Sequence, residues 1–136
     1  MGRKDEVIIK ANRASVHKEI DKERDRRQAL PLEYTFPDGQ TGHIQRRNQR
    51  DERNIQGVAS AAMSLVLAGN TTDQVHFTDE ENVKHMMTGT EGMAFGVFVQ
   101  EDYARLQEAA RQHKDNVNDL TSIEDVQNYD YSGGWE

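Results

Sequence analysis

The first thirty residues are dominated by charged and polar side chains, with few apolar ones between them. Val16 and Ile20 lie four residues apart, which places them on one face of a helix. We therefore predict a polar helix over residues 15–29, packed along a narrow seam. Leu30-Pro31 ends this helix, because proline disfavours helical geometry in the residue before it.

A β-hairpin is predicted over residues 32–45, where apolar and polar positions alternate on both sides of Asp38-Gly39. Asp-Gly favours tight hairpin turns, because both residues tolerate positive φ. A two-residue loop at this dipeptide pairs Phe36 with Thr41, and Tyr34 with His43. An isolated hairpin is only marginally stable, so it must pack on the helices.

The next helix is predicted over residues 49–68, with Asn48 as its N-cap and Gly69-Asn70 as its C-terminal stop. From Ile55 to Ala68 its residues are small or apolar around nearly the whole circumference. This pattern predicts the central, most buried helix of the fold.

A second hairpin is predicted over residues 75–86, turning at residues 79–82, although Glu-Glu is a poor turn pair and a short helical turn fits as well. Thr88 or Thr90 then caps a long helix over residues 90–120. Its apolar positions alternate spacings of four and three, which indicates either a coiled coil or packing along the core, and we favour the core. The seam consists of Val99, Tyr103, Leu106, Ala110, His113, Val117 and Leu120.

The two ends are interpreted as extended arms: residues 1–14 at the N-terminus and a C-terminal docking tail at residues 121–136. The N-terminal apolar patch either adds a strand to a neighbour's sheet or begins the first helix, and the tail's tryptophan either anchors in a partner or covers the protein's own core. The interface candidates on these arms are Val7, Ile8, Ile9, Tyr129, Tyr131 and Trp135. The predicted fold is therefore α+β, mainly helical, with a single domain over residues 15–120.

Composition and the length of the apolar runs add three limits. The chain has 136 residues, 35% of them hydrophobic and 30% charged, so its core is lean and a neighbour is expected to complete it. It has no cysteine, which excludes disulfides and thiolate catalysis. Neither a signal peptide nor an apolar run long enough for a bilayer is present, so no membrane association is expected.

The net charge of −7 conceals a split along the chain. Residues 1–60 hold 13 Lys/Arg and 10 Asp/Glu, a net of +3, whereas residues 61–136 hold 4 and 14, a net of −10. The basic residues are interleaved with acids, as on an ion-paired helix face, so nucleic-acid binding is not the expected function. Head-to-tail contact between basic and acidic halves of neighbouring copies explains the same split.

Candidate chemistry is sparse. In the register drawn from the sequence, His76 and His85 are cross-strand partners that are able to share a metal, with His43 or Glu80 as a third ligand. The ligand spacings typical of zinc enzymes are absent, so no metal site and no cofactor are expected. No serine lies in a nucleophile-elbow motif, and the carboxylate pairs are sequence neighbours, which point apart on a helix. The protein is therefore not expected to be an enzyme.

Several short motifs, in order, resemble a small family of uncharacterised domains in tailed-phage proteins. They are ERDRR at residues 23–27, GHIQR at 42–46, DERNIQGVA at 51–59, VHF at 75–77 followed by Asn82-Val83, and Met87-Thr88 before the final helix. The resemblance covers residues 15–120, and Phe77 stands where the family usually has tryptophan.

The resemblance implies a structural virion protein in the tail, baseplate or tail fibre, made in the host cytoplasm and acting as a homo-oligomer with other tail proteins. An assembly chaperone that is not retained in the virion, and a nucleic-acid-binding protein using arginines of residues 24–53, are the alternatives. The implied core is Tyr34, Phe36, Ile44, Ile55, Ala59, Ala62, Val66, Phe77 and Met93. The implied polar junction between hairpin and helix is Arg46, Arg47, Asp51 and Asn54.

Overall fold

Helices and two short hairpins alternate along the chain, as the periodicity predicts. The computed structural model describes residues 2–136. Its elements are α1 (Arg3–Gln28), β1 (Leu32–Thr35), β2 (Thr41–Ile44), α2 (Gln49–Leu67), β3 (Gln74–Thr78), β4 (Lys84–Thr88), α3 (Gly89–Asp119) and α4 (Ile123–Gln127). The strands pair as β1 with β2 and β3 with β4, each pair antiparallel. The predicted α+β class is confirmed.

The chain divides into two compact units. We call Met1–Arg27 with Tyr103–Glu136 the terminal unit, and Gln28–Asp102 the hairpin unit. Helix α3 contributes its first half to the hairpin unit and its second half to the terminal unit. Among the described residues, none of the helices combines the length and apolar character that crossing a membrane requires.

In the terminal unit, α1 begins at Arg3, so residues 3–14 are helical. Of the two alternatives for the N-terminal apolar patch, the start of the first helix is the one observed, and the extended arm does not form. Met1 lies outside the described residues. Ile9 and Ile20 are both buried. The apolar seam of α1 therefore extends about two helical turns further toward the N-terminus than Val16. Acidic Asp5 and Glu6 lie in the first turn, where they interact favourably with the helix dipole.

Five of the seven predicted seam residues are buried inside the protein, and Tyr103 and Leu120 are half-buried, which supports core packing over a coiled coil. Helix α1 runs antiparallel to α3: Arg13 Nη2 donates to Leu120 O at 2.5 Å, and Lys114 Nζ lies 2.5 Å from Asp21 Oδ1. The C-terminal tail then returns over these helices. The buried core of the terminal unit is Ile9, Ile20, Leu106, Ala110, Val117, Val126 and Trp135.

In the hairpin unit, the first hairpin lies where it is predicted but its register differs by one residue. Thr35 pairs with Thr41 and Tyr34 with Gly42, rather than with His43. The loop has three residues, because Pro37 fits the first central position of a type I turn and Gly39 adopts a positive φ of 86° after it. The Gly39 amide donates to Phe36 O at 2.9 Å and closes this turn.

Helix α2 begins as predicted, since Asn48 Oδ1 accepts a hydrogen bond from the Asp51 amide at 3.0 Å. The prediction that α2 is the most buried helix is wrong: its buried residues are Asp51, Ile55 and Ala62. Val66, expected in the core, is 41% exposed. The first half of α3 is buried instead, because its glycines pack against the alanines of α2. A Cβ on Gly92 would lie 2.7 Å from Ala62 Cβ.

The core of the hairpin unit is largely the predicted one. Phe36, Ile44, Ile55, Ala62 and Phe77 are buried, as expected. Tyr34, Ala59 and Met93 are half-buried. Residues that the prediction omitted complete this core: Val75, Met87, Phe95 and Val99.

Candidate functional site

The most concentrated polar chemistry of the hairpin unit lies where its two hairpins meet. His85 projects from β4 into the core with 1% of its surface exposed, although it is an ionisable residue. Its Nδ1 lies 2.6 Å from Asp38 Oδ2 in the first hairpin turn, and its Nε2 lies 2.7 Å from Asp79 Oδ2. A carboxylate only accepts hydrogen bonds, so both ring nitrogens must carry protons and the imidazole is positively charged.

His85, Asp38 and Asp79 form a triad, and burial and hydrogen bonding set the direction in which the pKa of each member is shifted. Burial lowers the pKa of His85, but the hydrogen bonds to Asp79 and Asp38 outweigh burial, so the pKa lies above its ordinary value. Burial raises the pKa of Asp79, and the bonds from His85 and the Val83 amide reverse that effect. The amide of Gln40, and then His85, hold the pKa of Asp38 below its usual range. The triad is thus a buried cation between two ionised acids.

Two neighbours shape the triad. Asp79 reaches His85 by passing close to the backbone of Gly42: a Cβ at this glycine would lie 2.2 Å from Asp79 Oδ2. Asp79 also closes its own loop, since its Oδ1 accepts from the Val83 amide at 2.9 Å. Because these contacts involve backbone, the base of the β3–β4 loop is fixed against β2.

A second cluster, formed by the exposed side chains of His43, Glu80 and Glu81, lies next to Asp79 at the start of the β3–β4 loop. The Glu80 amide donates to His43 O at 2.8 Å, and the His43 amide donates to Glu81 Oε2 at 3.2 Å. His43 Nδ1 also hydrogen-bonds Glu81 Oε1, and this bond raises the pKa of His43. One ligand atom from each of His43, Glu80 and Glu81 lies within 4.8 Å of the other two. One imidazole and two carboxylates therefore converge at the surface.

The chain was compared with protein families, curated proteins and solved structures. A family described as a domain of unknown function (DUF4376) matches residues 11–133. The chain belongs to this family. No curated protein and no solved structure matches it. The family match covers α1 from Ala11 onward, both hairpins, α2, α3 and most of the C-terminal tail, so it spans residues of both units.

The histidine pair predicted from sequence does not form. The β3–β4 loop has one more residue than expected, so His76 pairs with Met86 and His85 pairs with Phe77. A shift of one residue moves a side chain to the opposite face of a sheet. His85 consequently faces the core, whereas His76 is exposed. Positive φ at Asn82, 63°, accommodates the longer loop.

The predicted polar junction combines long-range contacts of Arg46 with a local contact between Arg47 and Asp51. Arg46 is 5% exposed; its Nε donates to Leu30 O at 2.8 Å and its Nη1 bonds Asp102. Arg47 donates to Asp51 Oδ2 through both its amide and its Nε, each at 2.9 Å. Asn54 makes no such contact in this set but lines a cleft of about 260 Å³ with His76 and Asp51. The junction thus anchors the start of α2.

The interface candidates on the terminal unit are placed very differently from one another. Val7 is 67% exposed and Ile8 is 38% exposed, while Ile9 is buried. Trp135 is 1% exposed, and its Nε1 donates to Tyr131 O at 2.8 Å. Tyr129 and Tyr131 are half-buried against the same core. The aromatic side chains of the tail therefore serve the protein's own core.

His113 holds the C-terminal tail against α3 through two hydrogen bonds. Its Nε2 lies 2.7 Å from Gly133 O, a pure acceptor, so this nitrogen carries the proton. Its Nδ1 then accepts from the Tyr129 hydroxyl at 2.6 Å. The guanidinium of Arg27 lies 5.3 Å from the centre of the Trp135 ring, within range of a cation–π contact.

Sequence reasoning missed Asp38, Asp79 and Glu81 as partners of histidines. The only local signal was that Asp38 belongs to a turn dipeptide and Asp79 begins a loop. The roles of Asp38 and Glu81 arise from the packing of one hairpin on the other, which no spacing within a single hairpin encodes. Asp79 and His85 belong to the same hairpin, and their contact depends on the observed register, in which His85 faces the core. The exposed apolar residues of α2 were missed for the same reason.

Proposed function

We propose that this protein is a non-enzymatic structural component of a tailed-phage virion, in the tail, the baseplate or the attachment of a tail fibre. It acts as a homo-oligomer that also contacts other tail proteins. The sequence resemblance described above supports the phage assignment. One structural observation supports the mode of action: from Asn54 onward the exposed side of α2 carries no charge, and it includes the apolar residues Met63, Val66 and Leu67.

The exposed side of α2 is unusual in this chain. Thirty per cent of the residues are charged, yet none from residue 54 to residue 72 is. Leu67 is 81% exposed, Met63 50% and Val66 41%. We define Met63, Val66 and Leu67 as the α2 face.

A second copy of this chain is the occupant that fits the α2 face best. An uncharged face requires an uncharged partner, since burying unpaired charges is costly. Two copies of the α2 face supply that match to each other around a two-fold axis, as in most homodimers.

Assembly chaperoning is the second candidate, because the same face would serve a transient complex as well as a permanent one. The protein would then be made in infected cells but would be missing from mature particles. Mass spectrometry of purified virions separates the two functions. Detection of the chain at stoichiometric level supports the virion role, and its absence from particles contradicts it.

The nucleic-acid alternative is weakened by ion pairing. Five of the seven arginines in residues 24–53 contact a carboxylate of their own unit: Arg24, Arg26, Arg27, Arg46 and Arg47. Hydrogen bonding from Arg26, with a further bond from Arg27, lowers the pKa of Glu23 to about 2 against the effect of burial. Positive charge that is neutralised in this way contributes little to phosphate binding.

The oligomer itself is tested by light scattering after size-exclusion chromatography. The wild-type chain should be a dimer or larger. Leu67→Glu should shift it toward the monomer, because the new carboxylate lies in the contact. Met86→Glu is the matched control, since Met86 is 43% exposed on β4 and lies outside the α2 face. A monomeric wild type, or equal dissociation by both variants, contradicts the proposal.

A further inference from the structure

The exposed cluster at the hairpin junction has the composition of a metal site. His43 offers an imidazole nitrogen, and Glu80 and Glu81 each offer a carboxylate oxygen, all within 4.8 Å of one another. Zinc and related divalent ions form bonds of about 2.0–2.2 Å to such atoms. The glutamates are exposed, so rotation of their side chains suffices to bring the three atoms onto one ion.

The charges around His43 favour a cation. Glu33 is its cross-strand partner on β1, so three carboxylates surround a single imidazole. Even a protonated His43 leaves the group with an excess of negative charge. Arg47 also interacts with Glu80, but its guanidinium is hydrogen-bonded to Asp51 at 2.9 Å. A divalent cation would relieve the repulsion between Glu80 and Glu81, which are adjacent in the loop.

The backbone already holds the ligands in place. Hydrogen bonds from the amides of Glu80 and His43 join the β3–β4 loop to β2. The preceding residue, Asp79, is buried and bound to His85. Binding of an ion at this position would therefore cost little conformational entropy, because the loop is already ordered, and the ion would link one hairpin to the other.

We propose that His43, Glu80 and Glu81 form a binding site for one divalent transition-metal ion of the zinc type. His43 coordinates through Nδ1, which exchanges its hydrogen bond with Glu81 for the metal. Three protein ligands leave a coordination position for water or for a ligand from another protein. Mixed nitrogen and oxygen ligands favour zinc, manganese or iron over magnesium and calcium. This inference does not depend on the proposed virion role.

The test titrates zinc chloride into the full chain at pH 7.5, by calorimetry and by NMR of the histidine side-chain nitrogens. One equivalent of zinc should bind, and the Nδ1 resonance of His43 should shift on binding. Glu80→Gln should weaken binding about tenfold or more while it keeps the His43–Glu81 hydrogen bond intact, and His43→Gln should weaken it further.

His76→Gln is the matched control, because His76 is exposed and lies outside the cluster. It should bind zinc as the wild type does. Circular dichroism of each variant establishes that it is folded. The proposal is overturned if zinc leaves the His43 resonance unchanged, if Glu80→Gln and wild type bind equally, or if His76→Gln loses the site.

Discussion

Phe36 and His85 are stacked face to face, with ring centroids 3.6 Å apart and ring planes inclined by 6°. Phe36 follows β1 and His85 lies on β4, so the stack joins the two hairpins. A cation over an aromatic face is attracted by the ring quadrupole, and the attraction is larger when both groups are desolvated. The positive charge of His85 thus contributes to the packing as well as to its two hydrogen bonds.

The first prediction concerns pH. The pKa of His85 is higher in the folded protein than the value of about 6.5 in an unfolded chain. Its contribution to stability is therefore complete below pH 6.5 and is lost as the pH rises through the folded pKa. The free energy of unfolding, measured in urea with EDTA present, should fall between about pH 6.5 and the folded pKa of His85.

His85→Gln should flatten this dependence and should cost about 3 kcal/mol at pH 6, since it leaves a buried carboxylate without its cation. His43 also has a raised pKa and acts in the same direction, so His43→Gln measures its smaller share. Asp38→Asn, which keeps His85, should reduce the slope without abolishing it. An unchanged slope in His85→Gln would contradict the assignment of the charge.

The second prediction compares two glycines. In Gly42→Ala the new methyl group would lie 2.2 Å from Asp79 Oδ2, so Asp79 must move away from His85. We expect a loss of about 1–3 kcal/mol in the free energy of unfolding. Gly57→Ala is the control: no atom of the described residues 2–136 lies within 4 Å of its methyl, and alanine in a helix should add about 0.5–1 kcal/mol. Equal effects of the two changes would refute the close approach.

The third prediction concerns the only tryptophan of the chain. Trp135 is buried at 1% exposure, so its fluorescence should be blue-shifted in the native protein and should move to the red in urea. Trp135→Ala should cost about 3–5 kcal/mol, because it empties the centre of the terminal unit. Tyr131→Ala, which truncates a half-buried ring, should cost less. Native emission that resembles the unfolded chain would show a free tail instead.

Local signals in the sequence located the regular elements well. Asn48 caps α2, Pro31 follows the end of α1, and Thr88 caps α3 by accepting from the Glu91 amide at 3.2 Å. Each of these acts within about four residues, so it can be read without knowledge of the fold. The predicted register of each hairpin was wrong by one residue. The length of the first loop depends on Pro37 and that of the second on Asn82, and the preference of Asp-Gly for two-residue turns does not include either residue.

Burial was harder to predict than secondary structure. The sequence makes α2 look like the centre of the protein, yet Leu67 is 81% exposed. Helix α3 is more polar on average but is buried on its seam, since it is long enough to contact both units' cores. Apolar composition states what a helix is able to bury, and its neighbours determine what it does bury.

The sequence by itself determined the class of fold, the order of its elements and the caps that begin its helices, because these depend on short-range backbone preferences and periodicity. Only the tertiary structure decided that the ends of the chain close the terminal unit, that His85 is a buried cation between Asp38 and Asp79, and that His43 meets Glu80 and Glu81. The contacts of His85 with Asp38 and of His43 with Glu80 and Glu81 join residues distant in sequence, whereas the contact of His85 with Asp79 depends on the register of the second hairpin. Their energy comes from desolvation and charge pairing, which arise only once the hairpins have packed.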